Sequence, residues 1–248
     1  MSITQTPSPN FDARTLPISL LVLHYTGMET GAAALERMRD ANAKVSAHYM
    51  VEEDGRLFQL VDEENRAWHA GVSEWRGETN INSASIGIEI VNGGHDWPLP
   101  DGSLPPFPDV QINALIPLCK AIMSRHNIDA SGIVAHSDIA PARKQDPGEH
   151  FPWAGLSAAG IGRFPLSIEP DRRVLFGAAS RDRGVAIVQR GLAEIGYSAR
   201  VTGVMDNDTR LVVAAFQRRY RPAQVDGVVD IETMEIVKWL VEGETALG

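Results

Sequence analysis

Short apolar runs alternate with amphipathic stretches along roughly the first two thirds of the chain. The runs at 18–23, 85–91 and 132–135 are rich in branched residues and typical of strands buried in a sheet. The stretches at 31–41 and 109–127 place apolar residues at helical spacing. Strands interleaved with helices predict an α/β domain whose mixed central sheet is flanked by helices.

Residues 47–61 predict a β-hairpin, because two strand-like runs flank the turn residues Glu53, Asp54 and Gly55. Two segments break the regular pattern. Residues 92–108 are rich in glycine, proline and aspartate, and residues 137–165 contain four prolines. Long irregular segments in a compact domain are often functional, so both are candidates for a functional surface.

After Pro170 the pattern predicts helices only, and a short motif occurs twice. Residues 203–209 align with residues 227–233, and in each copy an aspartate stands three residues before a threonine and an apolar helical stretch. Asp206 and Asp230 are therefore predicted helix N-caps. The chain is interpreted as a larger domain at 1–170 and a small all-α domain of three helices at 171–248, with the boundary near 165–178.

Composition excludes several classes of protein. The 248 residues are 44% hydrophobic and 22% charged, which does not indicate disorder, and the net charge of -9 argues against nucleic acid as a partner. The one cysteine, Cys119, is interpreted as a buried apolar residue of a helix. The polar N-terminus does not look like a secretory signal, so we expect a cytoplasmic monomer; a periplasmic or envelope location would require a leader.

Three possible metal ligands stand at the ends of predicted elements. His24 closes the first long strand, His136 closes the last, and Asp146 follows in the next loop. Imidazole nitrogen and carboxylate oxygen both suit zinc, and three protein ligands leave a fourth position for water. A single histidine at a strand end is more often structural, and the wide spacing of these residues is weak evidence alone.

Two further residues favour a catalytic interpretation. Glu89 lies in an apolar strand between Ile88 and Ile90, on the opposite face, where a carboxylate is costly unless it has a partner or a function. As a catalytic group it would be a general base that later protonates a leaving amine. Lys144 stands two residues before Asp146 and is a candidate for stabilising an oxyanion. A solvated strand residue and a surface lysine are the alternatives.

The motifs LVLHYT, SAHYMVEEDGRLFQLV, AWHAG, SIGIEIVN and AHSDIAPARKQDPG together resemble the zinc N-acetylmuramoyl-L-alanine amidases, which share a fold with peptidoglycan recognition proteins. The resemblance covers roughly residues 17–165. It implies that the Zn²⁺ ligands are His24, His136 and Asp146. It also implies that Glu89 is the acid/base and that Lys144 stabilises the oxyanion. Candidate substrate contacts are Tyr25, His48, Trp68 and His69. Tyr25 could instead merely pack, His48 could support the ligands, and for His48, Trp68 and His69 packing or a solvated rim is equally expected.

The segment after residue 170 resembles the small three-helix peptidoglycan-binding module of wall hydrolases. Together the two resemblances imply hydrolysis of the lactyl amide bond between N-acetylmuramic acid, or its anhydro form, and L-alanine, with a muropeptide or peptidoglycan as substrate. Residues 1–170 are expected to suffice on a soluble muropeptide, unless the module packs tightly on them. The alternatives are a non-catalytic recognition protein and a secreted or phage wall-lytic amidase. His95, His126 and His150 are interpreted as non-functional.

Overall fold

The computed structural model describes residues 2–165 and 167–245. In chain order the strands are β1 Ile3–Gln5, β2 Phe11–Ala13, β3 Leu20–Tyr25, β4 Tyr49–Val51, β5 Leu57–Gln59, β6 Asn65–Ala67, β7 Ser85–Ile90, β8 Ile133–Ala135, β9 Val174–Phe176 and β10 Val229–Asp230. The α-helices are α1 Gly31–Arg39, α2 Ile81–Ala84, α3 Asp109–His126, α4 His136–Ile139, α5 Trp153–Ala158, α6 Arg183–Ile195, α7 Asn207–Tyr220 and α8 Ile231–Thr245.

A mixed sheet forms the centre of the larger part, as predicted, with spatial order β1-β5-β4-β7-β3-β8. Strands β4 and β5 form the predicted antiparallel hairpin, and the other neighbours run parallel. Strands β3 and β7 are almost continuously apolar because they lie in the middle of this sheet. Since β3, β7 and β8 are parallel, their carboxyl ends meet at one edge.

Helix α3 covers one face of the sheet. Its buried stripe includes Leu115, Leu118, Cys119 and Ile122, which belong to the same apolar cluster as strands β3 and β7. Pro117 lies within the helix on its exposed side. The predicted burial of Cys119 is confirmed, and that burial raises the pKa of its thiol.

The segment at 137–165 is more regular than its four prolines predict. It contains most of α4 and all of α5. The apolar face of the Trp153 helix packs into the main core, so burial of Trp153 and Leu156 stabilises helix where composition predicted a loop. Helix α4 is a single turn that begins at His136, directly after β8.

The repeated motif of the C-terminal part is also repeated in its hydrogen bonds. The carboxylates of Asp206 and Asp230 each accept the amide of the threonine three residues later at 2.8 Å, as expected of N-caps. In each copy the side-chain amide of a glutamine in the preceding helix, Gln189 or Gln217, donates to a backbone carbonyl of the turn and to the threonine hydroxyl. The prediction of helices only was incomplete, because β9 and β10 form a short antiparallel pair.

The two parts share an apolar core. Val22, Val134 and Ile139 of the larger part lie in one cluster with residues of α6, α7 and α8, including Val188 and Phe216. The predicted division at 1–170 and 171–248 stays a prediction, and its outermost residues, 1 and 246–248, lie outside the described residues. Within the described ranges, no helix has the length and apolarity that a bilayer crossing requires.

Candidate active site

The three predicted metal ligands meet at the carboxyl edge of the central sheet. His24 is the second-last residue of β3, and His136 directly follows the neighbouring β8. The loop after α4 places Asp146 next to both histidines. Nδ1 of His24 lies 2.9 Å from Nδ1 of His136 and 3.1 Å from Oδ2 of Asp146, and the latter two atoms are 2.9 Å apart. All three residues are buried. The fold therefore assembles a compact triangle of ligand atoms.

A chain of hydrogen bonds beneath His24 determines which of its ring nitrogens carries the proton. The Ser85 hydroxyl donates to the carbonyl of Ile81 at 2.6 Å, so it accepts from Nε2 of His69 at 3.2 Å. Nδ1 of His69 is then an acceptor, and it accepts a hydrogen bond from the Nε2–H of His24 at 3.0 Å. This arrangement leaves a bare lone pair on His24 Nδ1, the atom that faces the triangle.

His136 is arranged in the same way, because its Nε2 donates to the carbonyl of Ala70 at 3.1 Å. When both rings are in these neutral forms, two nitrogen lone pairs and the Asp146 carboxylate face one another. Burial, followed by the neighbouring His136, lowers the pKa of His24 to about 4, so this ring is neutral at pH 7. Such a cluster can hold a metal cation.

Zinc fits this donor set. A tetrahedral zinc with bonds of about 2.0–2.2 Å keeps its ligand atoms roughly 3.3 Å apart. The three observed separations of 2.9–3.1 Å approach that value. Imidazole nitrogen and carboxylate oxygen are donors that zinc accepts, and Nε2 of each histidine already has a hydrogen-bond partner outside the triangle.

Glu89 stands beside this triangle. It pairs with His24 across the parallel strands β3 and β7, so both side chains project from the same face of the sheet. Its Oε2 is buried and has no hydrogen-bond partner within the described part of the chain. Burial, and then the Asp146 carboxylate, raises the pKa of Glu89 well above its ordinary value. A carboxyl group held in this way can accept and return a proton near neutral pH.

Lys144 approaches the same edge from the loop after α4. Its amide donates to the Ala140 carbonyl at 3.0 Å, which continues the turn that carries His136 toward Asp146. The side chain is half-buried. Its ammonium charge opposes the rise in the pKa of Glu89 and contributes to the low pKa of His24, so the charge lies close to both groups.

The four candidate substrate contacts divide into two pairs. Tyr25 and Trp68 are partly exposed, and their predicted contact with substrate stays a prediction. His48 and His69 are buried, and whether they support the candidate ligands or contact substrate stays a prediction. His69 bonds to His24, and Nδ1 of His48 accepts the amide of Gly87 at 3.0 Å. Both rings therefore contact residues of the central sheet, His24 of β3 and Gly87 of β7.

His95 lies next to Tyr25, the residue that follows His24 in β3. Nδ1 of His95 lies 3.1 Å from the hydroxyl of Tyr25, and its other nitrogen lies 3.2 Å from the Glu149 carboxylate. Arg218 of α7 reaches the same carboxylate at 3.4 Å. The interpretation of His95 as non-functional stays a prediction. The structure places it next to the site, at the junction with the C-terminal part.

Comparison with known proteins identifies the family of this chain. The family model described as N-acetylmuramoyl-L-alanine amidase matches residues 14–149, more than half of the chain. The N-acetylmuramoyl-L-alanine amidase AmiD of Escherichia coli K12 is 39% identical over 236 residues, which cover 91% of this chain and 83% of AmiD. The chain belongs to the N-acetylmuramoyl-L-alanine amidase family. The resemblance found in the motifs is thereby confirmed.

Two solved structures of this amidase family match most of the chain. Escherichia coli AmiD in complex with anhydro-N-acetylmuramic acid-L-Ala-D-gamma-Glu-L-Lys has a TM-score of 0.79 and 36% identity, and covers 94% of this chain and 92% of its own. AMPDH3 of Pseudomonas aeruginosa in complex with anhydromuramic pentapeptide has a TM-score of 0.74 and 34% identity, and covers 96% and 98%. A second family model, for a peptidoglycan binding domain, matches residues 181–237.

Proposed function

We propose that this amidase-family chain is a zinc-dependent N-acetylmuramoyl-L-alanine amidase that hydrolyses the lactyl amide bond to L-alanine in anhydro-muropeptides during cell-wall recycling. The observation that carries the proposal is the triangle of His24 Nδ1, His136 Nδ1 and Asp146 Oδ2, with both imidazole lone pairs directed inward, beside Glu89. A non-catalytic recognition protein has no need for this combination.

The residues can be assigned roles in amide hydrolysis. When bound to the triangle, zinc supplies a Lewis acid that polarises a carbonyl and makes water nucleophilic near neutral pH. Glu89 removes the proton from the attacking water and delivers it to the leaving amine of L-alanine, which its raised pKa allows. Lys144 stabilises the negative charge that develops on the carbonyl oxygen.

The proposed substrate class rests on the relatives. The two solved complexes hold anhydro-muramic acid peptides, and their proteins match this chain over more than nine tenths of its length. Binding of polymeric wall through residues 181–237 is the second candidate, supported by the match to a peptidoglycan binding domain. A cytoplasmic location, a monomeric state and the absence of a nucleic-acid partner stay predictions.

The test is digestion of two substrates, soluble anhydro-muropeptides and intact sacculi, with mass spectrometry of the products. The protein is assayed after removal of metal with a chelator and after addition of one equivalent of zinc. We expect release of free stem peptide from the soluble substrate only when zinc is present. Full activity in metal-free protein would refute the zinc assignment. A zinc-loaded protein that cleaves neither substrate would favour the recognition alternative.

A further inference from the structure

Asp138 is a buried carboxylate that lies two residues after His136 in the single turn of α4. Its Oδ2 accepts the amide of Ala135 at 2.8 Å, which closes the N-terminus of that turn. A carboxylate that is completely buried is costly unless its remaining oxygen lone pairs have donors. Those donors come from the C-terminal helical part.

Two residues of the C-terminal part bond to this carboxylate. The guanidinium of Arg219, on α7, donates to Oδ2 at 2.5 Å, and the hydroxyl of Tyr197, which follows α6, donates to Oδ1 at 2.6 Å. Both side chains are buried. Arg219 is itself stacked at 4.3 Å from the ring of Trp153, so its plane is fixed by packing as well as by hydrogen bonds.

Arg219 holds the segment that carries His136 at both ends. Its Nη2 donates to the carbonyl of Ile133 at 2.8 Å, three residues before His136, and its Nη1 bonds to Asp138, two residues after it. A planar guanidinium fixes the distance between these two anchor points. The backbone that places the His136 ring in the triangle is therefore clamped by a residue of the other part of the chain.

We propose that Arg219 and Tyr197 are positioning residues of the metal centre, and that the C-terminal part completes this centre by holding Asp138 and through it His136. The inference rests on the proposed function, since it treats His136 as a zinc ligand. Loss of a residue that hydrogen-bonds directly to a metal ligand weakens metal affinity by about 10- to 100-fold. Arg219 and Tyr197 act one step further out, through the backbone on either side of His136, so we expect the lower end of this range. The C-terminal part thus contributes to the site as well as to any contact with the wall.

Arg221 supplies a matched control two residues further along. It is also a buried arginine of the C-terminal part, but its charge partners are Asp226 and Asp230, at 3.3 and 3.5 Å. Both carboxylates belong to its own domain. Arg221→Gln should therefore cost stability as Arg219→Gln does, without moving the segment that carries His136.

The experiment measures the zinc dissociation constant of full-length protein by competition with a fluorescent chelator, well below each variant's thermal midpoint. The variants are Arg219→Gln, Tyr197→Phe and Arg221→Gln. Tyr197→Phe removes only a hydroxyl and keeps the ring against Trp75, 5.0 Å away, so it serves if Arg219→Gln does not fold. Cobalt substitution provides a second probe, because its visible spectrum reports the ligand geometry.

We expect Arg219→Gln and Tyr197→Phe to weaken zinc binding about tenfold and to alter the cobalt spectrum, while Arg221→Gln stays within twofold of wild type. The proposal is overturned if folded Tyr197→Phe and Arg219→Gln keep wild-type zinc affinity, or if Arg221→Gln loses affinity equally. A wild-type protein that binds no zinc would overturn the proposed function as well, which distinguishes the two failures.

Discussion

Replacing Glu89 by glutamine should remove most of the activity and at the same time stabilise the metal-free protein. The Glu89 carboxyl group is buried beside Asp146, and its pKa is raised well above the ordinary value. The folded chain therefore holds this proton more tightly than the unfolded chain does. Stability should fall as the pH rises from about 4 through the raised pKa of the folded state, because ionisation favours unfolding.

The size of this effect follows from the pKa. Each pKa unit by which the folded value exceeds the unfolded one costs about 1.4 kcal/mol at a pH above both values. Glutamine has nearly the same shape and no charge, so at such a pH Glu89→Gln should recover about 1.4 kcal/mol for each unit of this difference. For a chain of this size, 1 kcal/mol corresponds to about 2–4 °C in the thermal midpoint. The variant should also lack the decline of stability with pH.

The same change should reduce turnover by about 10²–10⁴-fold, or roughly 3–5 kcal/mol, because no group remains to move the proton. Glu149→Gln is the matched control. Burial alone would raise the pKa of Glu149, but the His95 hydrogen bond and the nearby positive charges lower it to about 2. Glutamine at position 149 should therefore lower the thermal midpoint at pH 7, the opposite sign to position 89.

The assays are thermal unfolding in the presence of a chelator, from pH 4 to 8, and muropeptide hydrolysis after zinc is restored. Near wild-type turnover of Glu89→Gln would remove this residue from the mechanism. A lower thermal midpoint of Glu89→Gln in the metal-free protein would refute the argument that the buried carboxylate is costly. Equal shifts at positions 89 and 149 would show that the variants report only general packing.

Three further predictions follow from the site and the fold. Asp146→Ala should lose zinc affinity by more than tenfold in the chelator competition, and wild-type affinity would show that it is not a ligand. Burial alone would raise the pKa of Glu63, but its arginine, histidine and tyrosine partners lower it to about 2. Glu63→Gln should lower the free energy of unfolding in urea by about 1–3 kcal/mol at pH 7. The wild type should lose this extra stability as the pH falls from about 4 to 2. Deletion of residues 171–248 should expose the shared core and yield aggregated protein in size-exclusion chromatography. A folded, active truncation would instead show that residues 1–170 form an independent domain.

The sequence alone was sufficient for much of the fold and for the three candidate ligands that the fold brings together. Strands β3 and β7 and helix α3 have strong periodic patterns, because one element buries one defined face. The candidate ligands were recognisable because His24, His136 and Asp146 occur within local motifs. The repeat after residue 170 was visible because each N-cap and its threonine are three residues apart.

Only the tertiary structure determined which distant side chains meet. Asp138 and Arg219 are 81 positions apart, and His24 and His69 are 45 apart, so no local pattern links them. The same reason applies to the burial of His69, the position of His95 and the core shared by the two parts, since each depends on contacts between residues far apart in sequence. Short strands such as β9 and β10 lack a periodic signal, and the hydrogen bonds of a buried polar group depend on partners that only packing brings within reach.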